Sequence, residues 1–495
     1  MAIERARSPH NGSMRLANAR LLDGSLTDID LVDGEIERVS AAGSTAAAGS
    51  HRDLEGAVVI PGLWDEHTHM GQWARHRTRL SVLDAESADE AAAIARRAAA
   101  GHRGSDPLVL VGMRDGLWTS PPTRALLDAA TGAVPTLVVS SDVHCSWPNT
   151  AMLRRLGLEL DGALLREEAA FAALSTLEGM LDPDALDAHV VDALAAAAAR
   201  GVVGVVDLEF EDAVGSWARP GRATPTRIEA GIYRHDLELA AERGIRSGDP
   251  IAHRARVGRL KVISDGSLGT RTAWTAHPYG GGAAPSTTGV RNVDADELDR
   301  MLARAQEIGL DATIHAIGDA AVTAAIDAFE RAGMRGGRIE HAQLVAGVDI
   351  PRLARLGITA SLQPEHALDD RELTAALWAD RSRDAYRLRS LLDAGVQVVL
   401  GSDAPVTPLD PWLAIATAVT RTRGDEAPWQ PEEAIAIEQA IGVSARTRIA
   451  AGEPADLAVL GAPVPHGDDP HAVAAALRGM PIALTMVAGE TIFEA

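Results

Sequence analysis

Two features of the chain have residue types and spacing suited to chemistry. The first is residues 58–70, VVIPGLWDEHTHM, which reads as an apolar strand broken at Pro61-Gly62 and ending in His67 and His69. Alternate side chains on a strand share a face, so both imidazoles point one way, with Asp65 behind them. Two neutral imidazoles one pleat apart can hold a divalent metal; satisfied strand-end histidines are the plainer reading, and further ligands must come from later strands. The second feature is Lys261. Of 47 basic residues it is the only lysine, the remaining 46 being arginine. Arginine stays protonated in proteins, whereas a buried lysine can lose its proton and act as a nucleophile. RLKVISDGSLG places Lys261 on an apolar strand entering a Gly-rich loop, not on a helical surface, which favours a chemical role over chance survival in an arginine-biased chain.

These residues need a scaffold. Residues 14–58 alternate short β-rich runs with Asp-Gly turns at 23–24 and 33–34, the signature of antiparallel hairpins. ADLAVLGAP and ALTMVAGETIF repeat that texture at the C-terminus. One small β-sandwich assembled from 1–57 and 445–495 is expected. Between them, eight buried-strand candidates stand at 58–69, 202–208, 227–234, 259–265, 311–316, 337–342, 358–363 and 397–403, with helical stretches between them from the second onward. Repeating strand–helix units predict a parallel sheet, and eight predict a closed (β/α)₈, TIM-type barrel, here spanning 58–444. The gap after the first strand is too long for one crossover, so about 72–200 reads as an insertion with helix 88–100, strands 108–113 and 136–141, and helix 184–200.

A (β/α)₈ barrel does its chemistry at the C-terminal ends of its strands. There the sequence sets His67 and His69, Lys261, His315 in TIHAIGD, His341 in RIEHAQ, and Asp403 in VVLGSDAP. A neutral lysine can add carbon dioxide to become a carbamate, in effect a carboxylate able to bridge two cations. The expected arrangement is one ion on His67, His69 and Asp403, a second on His315 and His341, and carboxylated Lys261 between them. Zinc leads the candidates, although iron, manganese and nickel suit the same donors. Two such ions can share a bridging hydroxide that attacks a carbonyl carbon, and Asp403 can carry the nucleophile's proton to the leaving nitrogen. Asp65 is expected to orient a ligand imidazole.

PGLWDEHTH, the strand-four lysine, HAIGD, IEHAQ and GSDAP together resemble the amidohydrolase superfamily. DLEGAVVIPG and ADLAVL resemble its split β-sandwich. KVISDGSLGTRTAW, SDVHCSWPNTAML and GSDAPVTPLDPW are similar to the branch containing N-substituted formamide deformylase, the YtcJ-like group. The resemblance spans nearly the whole chain and implies hydrolysis of a non-peptide carbon–nitrogen bond, such as that of an N-substituted formamide. His144 and Arg271 match branch motifs, and His366 in SLQPEH ends the seventh strand; all three are candidate substrate-binding residues.

Composition bounds the rest. A net charge of −22 argues against nucleic acid and anionic membranes as partners, leaving a small-molecule substrate; a homo-oligomer is compatible with it. The single cysteine, Cys145, excludes an internal disulfide framework. No signal-peptide h-region or spanning segment stands out, so a cytoplasmic protein is expected, with Met14 an alternative start to Met1. Two other functions compete. A heterocycle aminohydrolase generally resembles a mononuclear plan without the strand-four lysine and with a glutamate following the strand-five histidine, whereas Ala316, Ile317 and Gly318 follow here. A catalytically silent, metal-stabilised binding protein would have no evident need of all six ligands.

Overall fold

The computed structural model describes residues 12–44, 49–103, 106–141, 143, 145–159, 161–166, 168–178, 183–210, 212–220, 222, 224–280 and 287–495. The chain divides into two compact units, Met1–Met70 with Val191–Ala495, and Gly71–Val190.

The larger unit is built on eight parallel strands: β1 Leu63–Thr68, β2 Val202–Asp207, β3 Arg227–Tyr233, β4 Ala255–Ile263, β5 Ala312–Ala316, β6 Arg338–His341, β7 Thr359–Leu362 and β8 Gln397–Leu400. They pair in sequence order from β1 to β8. Beyond β8 the ring is tied to β1 by backbone bonds from Asp403 N to His67 O (2.7 Å) and from His69 N to Ala404 O (2.8 Å). This is the expected TIM-type barrel. Strands such as β2, VVGVVD, are buried at every position, as a parallel sheet covered on both faces requires. Local signals set the helices between them. The helix Ala295–Ile308 starts where the Asp294 side chain accepts the Glu297 amide and stops at Gly309, φ 82°. It turns Leu298, Met301, Leu302 and Ala305 into the core.

The first expected strand, 58–69, is in fact two. Val59–Pro61 pairs antiparallel with Leu457–Leu460, and only Leu63–Thr68 enters the barrel. Gly62 is the joint: a β-carbon there would stand 2.2 Å from Val203, closer than any side chain tolerates. The strand carrying Val59 belongs to a four-stranded sheet ordered Glu490–Glu494, Ile482–Val487, Leu457–Leu460, Val59–Pro61. A second four-stranded sheet, from 35–41, 26–32, 14–20 and 50–53, shares one core with it, including Leu16, Ile29, Ile36, Val59, Leu457 and Met486. The turns fall at Gly24 and at Asp33-Gly34, all at positive φ, but Ser50–Asp53 joins its neighbour in parallel, so this sheet is mixed rather than wholly antiparallel.

The smaller unit holds a five-stranded sheet ordered 165–166, 145–148, 136–140, 108–113, 80–81. Its core is the small-residue face of helix Ala88–Gly101, with Ala88, Ala91 and Ala95, packed with Leu110, Val138 and Trp147. Cys145 is buried there. Among the described residues no helix is long and apolar enough to cross a membrane.

Candidate metal centre

β1 ends at the site through a local irregularity. Its register with β2 shifts between the pairs Val205–Asp65 and Asp207–Thr68, so simple alternation fails there. Among the described residues Asp65 makes its hydrogen bonds to backbone amides rather than to a ring nitrogen. Its Oδ1 accepts the amides of Ser402 (2.9 Å) and His67 (3.2 Å), tying β1 to the end of β8. Burial pushes the Asp65 carboxyl up to about 7. The group that orients His67 is Glu340, whose Oε2 lies 2.8 Å from His67 Nδ1.

Around His67 the donors converge. Asp403 Oδ1 stands 3.3 Å from His67 Nε2 and 3.2 Å from His69 Nε2. Lys261 Nζ is 3.4 Å from His67 Nε2, and the lysine is 2% exposed. Burial, opposed by Glu340 and Asp403, lowers the Lys261 amine to about 8. A minor neutral fraction, larger than that of an ordinary lysine, is therefore accessible near neutrality, the form that carbon dioxide requires. Burial, reinforced by nearby Lys261, lowers His67 to about 4 and His315 to about 3, leaving both neutral with a lone pair to offer. His341 is pushed well down by burial and the neighbouring His315. Burial works against the charged form of His69 too, but Asp403 outweighs it and raises that imidazole. Burial would raise Asp403, yet His67, His69 and His341 hold it well below the usual carboxylate range.

Two sets of donor atoms could each close on one ion: His67, His69 and Asp403, and His341, His366 and Asp403. The first is the set expected from the sequence. The second brings in His366, expected to touch substrate instead, with its Nε2 4.0 Å from Asp403 Oδ2. His315 stands beside His341, ring centroids 4.4 Å apart. Its Nε2 nevertheless lies 3.3 Å from the Gly266 carbonyl and 3.5 Å from Asp265 Oδ1, so it joins neither set in this side-chain arrangement. The residues fit a divalent cation: His341 Nδ1 and His366 Nε2 are buried without a hydrogen-bond partner, and imidazole nitrogen with carboxylate oxygen is an ordinary donor combination. His144 lies outside the described residues. Arg271 sits in the loop after β4, φ 58°. His341 (φ 71°) and Asp403 (φ 57°) also adopt the left-handed conformation, so backbone strain gathers at the candidate ligands.

Glu340 heads a buried charged ladder. Arg338 Nε lies 2.7 Å from Glu340 Oε1, Arg338 Nη1 donates to Glu66 Oε2 (2.8 Å), and Arg446 grips Glu66 at 2.6 Å through both Nε and Nη2. Arg446 also reaches Glu229 (2.6 Å), which pairs with Arg259 (2.5 Å). Burial would raise Glu340, but Arg338 and His67 hold it well below the usual carboxylate range. Sequence reasoning missed Glu340, Arg338 and Asp265. The available signal was charge inside buried strands: RIEH alternates ionic and apolar residues where its neighbours are apolar.

Comparison with known proteins places the whole arrangement. Residues 51–493 match the amidohydrolase family. The chain belongs to that family. It is 28% identical over 486 residues to YtcJ of Bacillus subtilis (strain 168), covering 89% of this chain and 90% of that one. It is 23% identical over 454 residues to the N-substituted formamide deformylase of Arthrobacter pascens, covering 81% and 80%. These similarities set it in the YtcJ-like branch of the amidohydrolase superfamily. A metal-dependent hydrolase of Pyrococcus horikoshii shares the fold, with a TM-score of 0.78 at 24% identity, covering 92% of this chain and 98% of that one. This amidohydrolase is therefore a hydrolase built on a TIM-type barrel, with histidine and aspartate groups able to hold metal.

Proposed function

We propose that this amidohydrolase hydrolyses a non-peptide carbon–nitrogen bond of a small molecule, an amide of the N-substituted formamide type. Its ligands would be His67, His69 and Asp403 for one divalent ion and His315 and His341 for a second, with Lys261 carboxylated between them and zinc the first candidate. When bound, the ions polarise a carbonyl oxygen and lower the pKa of water toward neutrality. The observation that carries this reading is the convergence of buried imidazoles and Asp403 on a buried lysine amine: His67 Nε2 lies 3.3 Å from Asp403 Oδ1 and 3.4 Å from Lys261 Nζ, and His69 Nε2 lies 3.2 Å from the same Asp403 oxygen.

The chain's own residues then have defined tasks. Glu340 accepts the Nδ1 proton of His67 and so fixes the tautomer that leaves Nε2 free to ligate. Asp403, ionised and carrying a second oxygen toward His366, accepts a proton from the attacking water at a carboxylate oxygen and returns it to the departing nitrogen. The products are a carboxylic acid and an amine. His366, Arg271 and His144 are the residues proposed to meet substrate. What speaks against deamination is the strand-five sequence, where Ala316 and Ile317 follow His315.

The test is metal analysis and turnover on an amide, lactam and ester panel, for wild type and Lys261→Arg. The variant keeps a charged stem that carbon dioxide cannot modify. It should fold, lose metal stoichiometry and lose turnover; activity near wild type would reject the bridging role.

A further inference from the structure

Of the nine tryptophans, three tyrosines and four phenylalanines, only Phe210 is exposed among the described residues, at 38%. A single aromatic on an open surface would call for no explanation. Phe210 is placed differently. Its ring lies over that of His69, with centroids 5.1 Å apart and planes 11° from parallel. His69 Nε2 is the atom 3.2 Å from Asp403 Oδ1, so an ion held there would stand at the edge of the same imidazole that Phe210 covers. Tyr233 flanks the phenyl ring at 5.2 Å, and Tyr233 is the register partner of Lys261.

The backbone is fastened so as to put the ring there. β2 ends at Asp207, whose carboxylate accepts the amides of Met70 (3.0 Å) and Glu209 (3.2 Å) and the indole N–H of Trp217 (2.7 Å). Leu208 is tied on both sides, its amide donating to Thr68 O on β1 (2.7 Å) and its carbonyl accepting the Tyr233 hydroxyl from β3 (3.0 Å). The Phe210 amide donates to Glu209 Oε1 (3.2 Å). Leu208 is 1% exposed, within the core; two residues on, Phe210 is left partly in water. An aromatic ring held in place with part of its surface hydrated costs free energy that a covering apolar group recovers.

We infer that Phe210 determines specificity: its uncovered surface receives a flat, unsaturated group of the substrate beside the bond that is cleaved, so that this amidohydrolase prefers amides carrying an aromatic ring to those carrying a saturated ring of similar size. This rests on the hydrolase reading above. A phenyl side chain offers no charge, donor or acceptor, so it selects by shape and π surface alone. Aromatic rings pair offset or edge to face with centroids about 4.5–7 Å apart. The His69–Phe210 and Phe210–Tyr233 spacings fall in that range, so a substrate ring would extend an existing stack. A cyclohexyl group has at least as much apolar surface but no π face, and burial alone would not disfavour it.

The experiment measures binding by calorimetry to the zinc-loaded full chain, alongside turnover, for two matched pairs. N-phenethylformamide is set against N-(2-cyclohexylethyl)formamide, placing the ring on the amine side. 3-Phenylpropanamide is set against 3-cyclohexylpropanamide, placing it on the acyl side. In at least one pair the wild type should bind the phenyl compound about two- to tenfold more tightly. Phe210→Tyr should keep that ratio, and Phe210→Leu should bring it to unity or below, with metal content unchanged in both. Absence of binding, a wild-type ratio at or below unity in both pairs, or an unchanged ratio in Phe210→Leu would overturn the inference. So would loss of metal from Phe210→Leu, which would give the ring a part in holding His69 rather than in meeting substrate. Phe210-dependent preference without cleavage would leave it standing and sink the hydrolase reading, whereas cleavage without preference would do the reverse.

Discussion

Replacing Glu340 with glutamine separates its two duties. The carboxylate offers Oε2 to His67 Nδ1 at 2.8 Å and Oε1 to Thr313 Oγ1 at 2.6 Å and Arg338 at 2.7 Å. Glutamine has one acceptor oxygen and one amide donor, so it cannot serve both sides. With its amide toward His67, the ring must accept at Nδ1 and carry its proton on Nε2, the atom facing Asp403. With its amide toward Arg338, a cation meets a donor. Loss of such an orienting group typically weakens metal binding about 10–100-fold, or about 1.4–2.7 kcal/mol. Wholly orphaning a buried charge costs about 3–5 kcal/mol. Arg338 keeps Glu66 and the Ser361 hydroxyl (2.9 Å), so a smaller loss of about 2–3 kcal/mol in unfolding free energy is expected. Competition against a chelator reads the first effect, and a urea midpoint reads the second. A folded Glu340→Gln protein with wild-type metal affinity would refute the claim that Glu340 sets the His67 tautomer.

Two further outcomes follow from the same coordinates. His315→Ala and His366→Ala should differ in metal stoichiometry. Loss of one ion only in the first supports the ligand set read from sequence, and loss only in the second assigns the ion to His341, His366 and Asp403. For Glu229, burial would raise the carboxyl, but Arg446 and Arg259 lower it further, so the folded value lies below the ordinary one. Its stabilising effect is therefore present above about pH 4.3 and lost as pH falls through the folded value. Glu229→Gln should flatten the fall in stability between about pH 5 and 3, measured by urea titration at several pH values; an unchanged slope would contradict this.

The barrel was legible because its strands are short, mostly buried runs that recur between turn residues and helical stretches, so the repeat of strand and helix, rather than the period of any one run, identifies it. What it could not show was where one run serves two sheets. The break at Pro61-Gly62 was readable, yet that the chain passes there from one sheet to another, with Gly62 pressed against Val203, is visible only in three dimensions. The site was legible as a set of ligand types at strand ends, and the structure brings His67, His69, Lys261, His341 and Asp403 together. Asp65, expected to orient an imidazole, bonds the amides of His67 and Ser402 instead, a detail alternation cannot supply where β1 is irregular between Asp65 and Thr68. Glu340 went unnoticed because an ionic residue inside a strand carries no motif; its role depends on Arg338 and His67, the latter 273 residues away in sequence. His366 was expected at the end of the seventh strand, but that strand stops at Leu362 and His366 lies in the short helix Pro364–Asp369 that follows; its proximity to Asp403 is a matter of barrel closure.

The proposed two-ion site depends most directly on Lys261. Crystals of the metal-loaded protein, measured for anomalous scattering at the edge of the bound metal, should show two peaks in the barrel mouth. Density for a carbamate on the Lys261 nitrogen should lie between them, with His67, His69 and Asp403 around one peak. A single peak, or two peaks with an unmodified Lys261 amine touching neither, would contradict it.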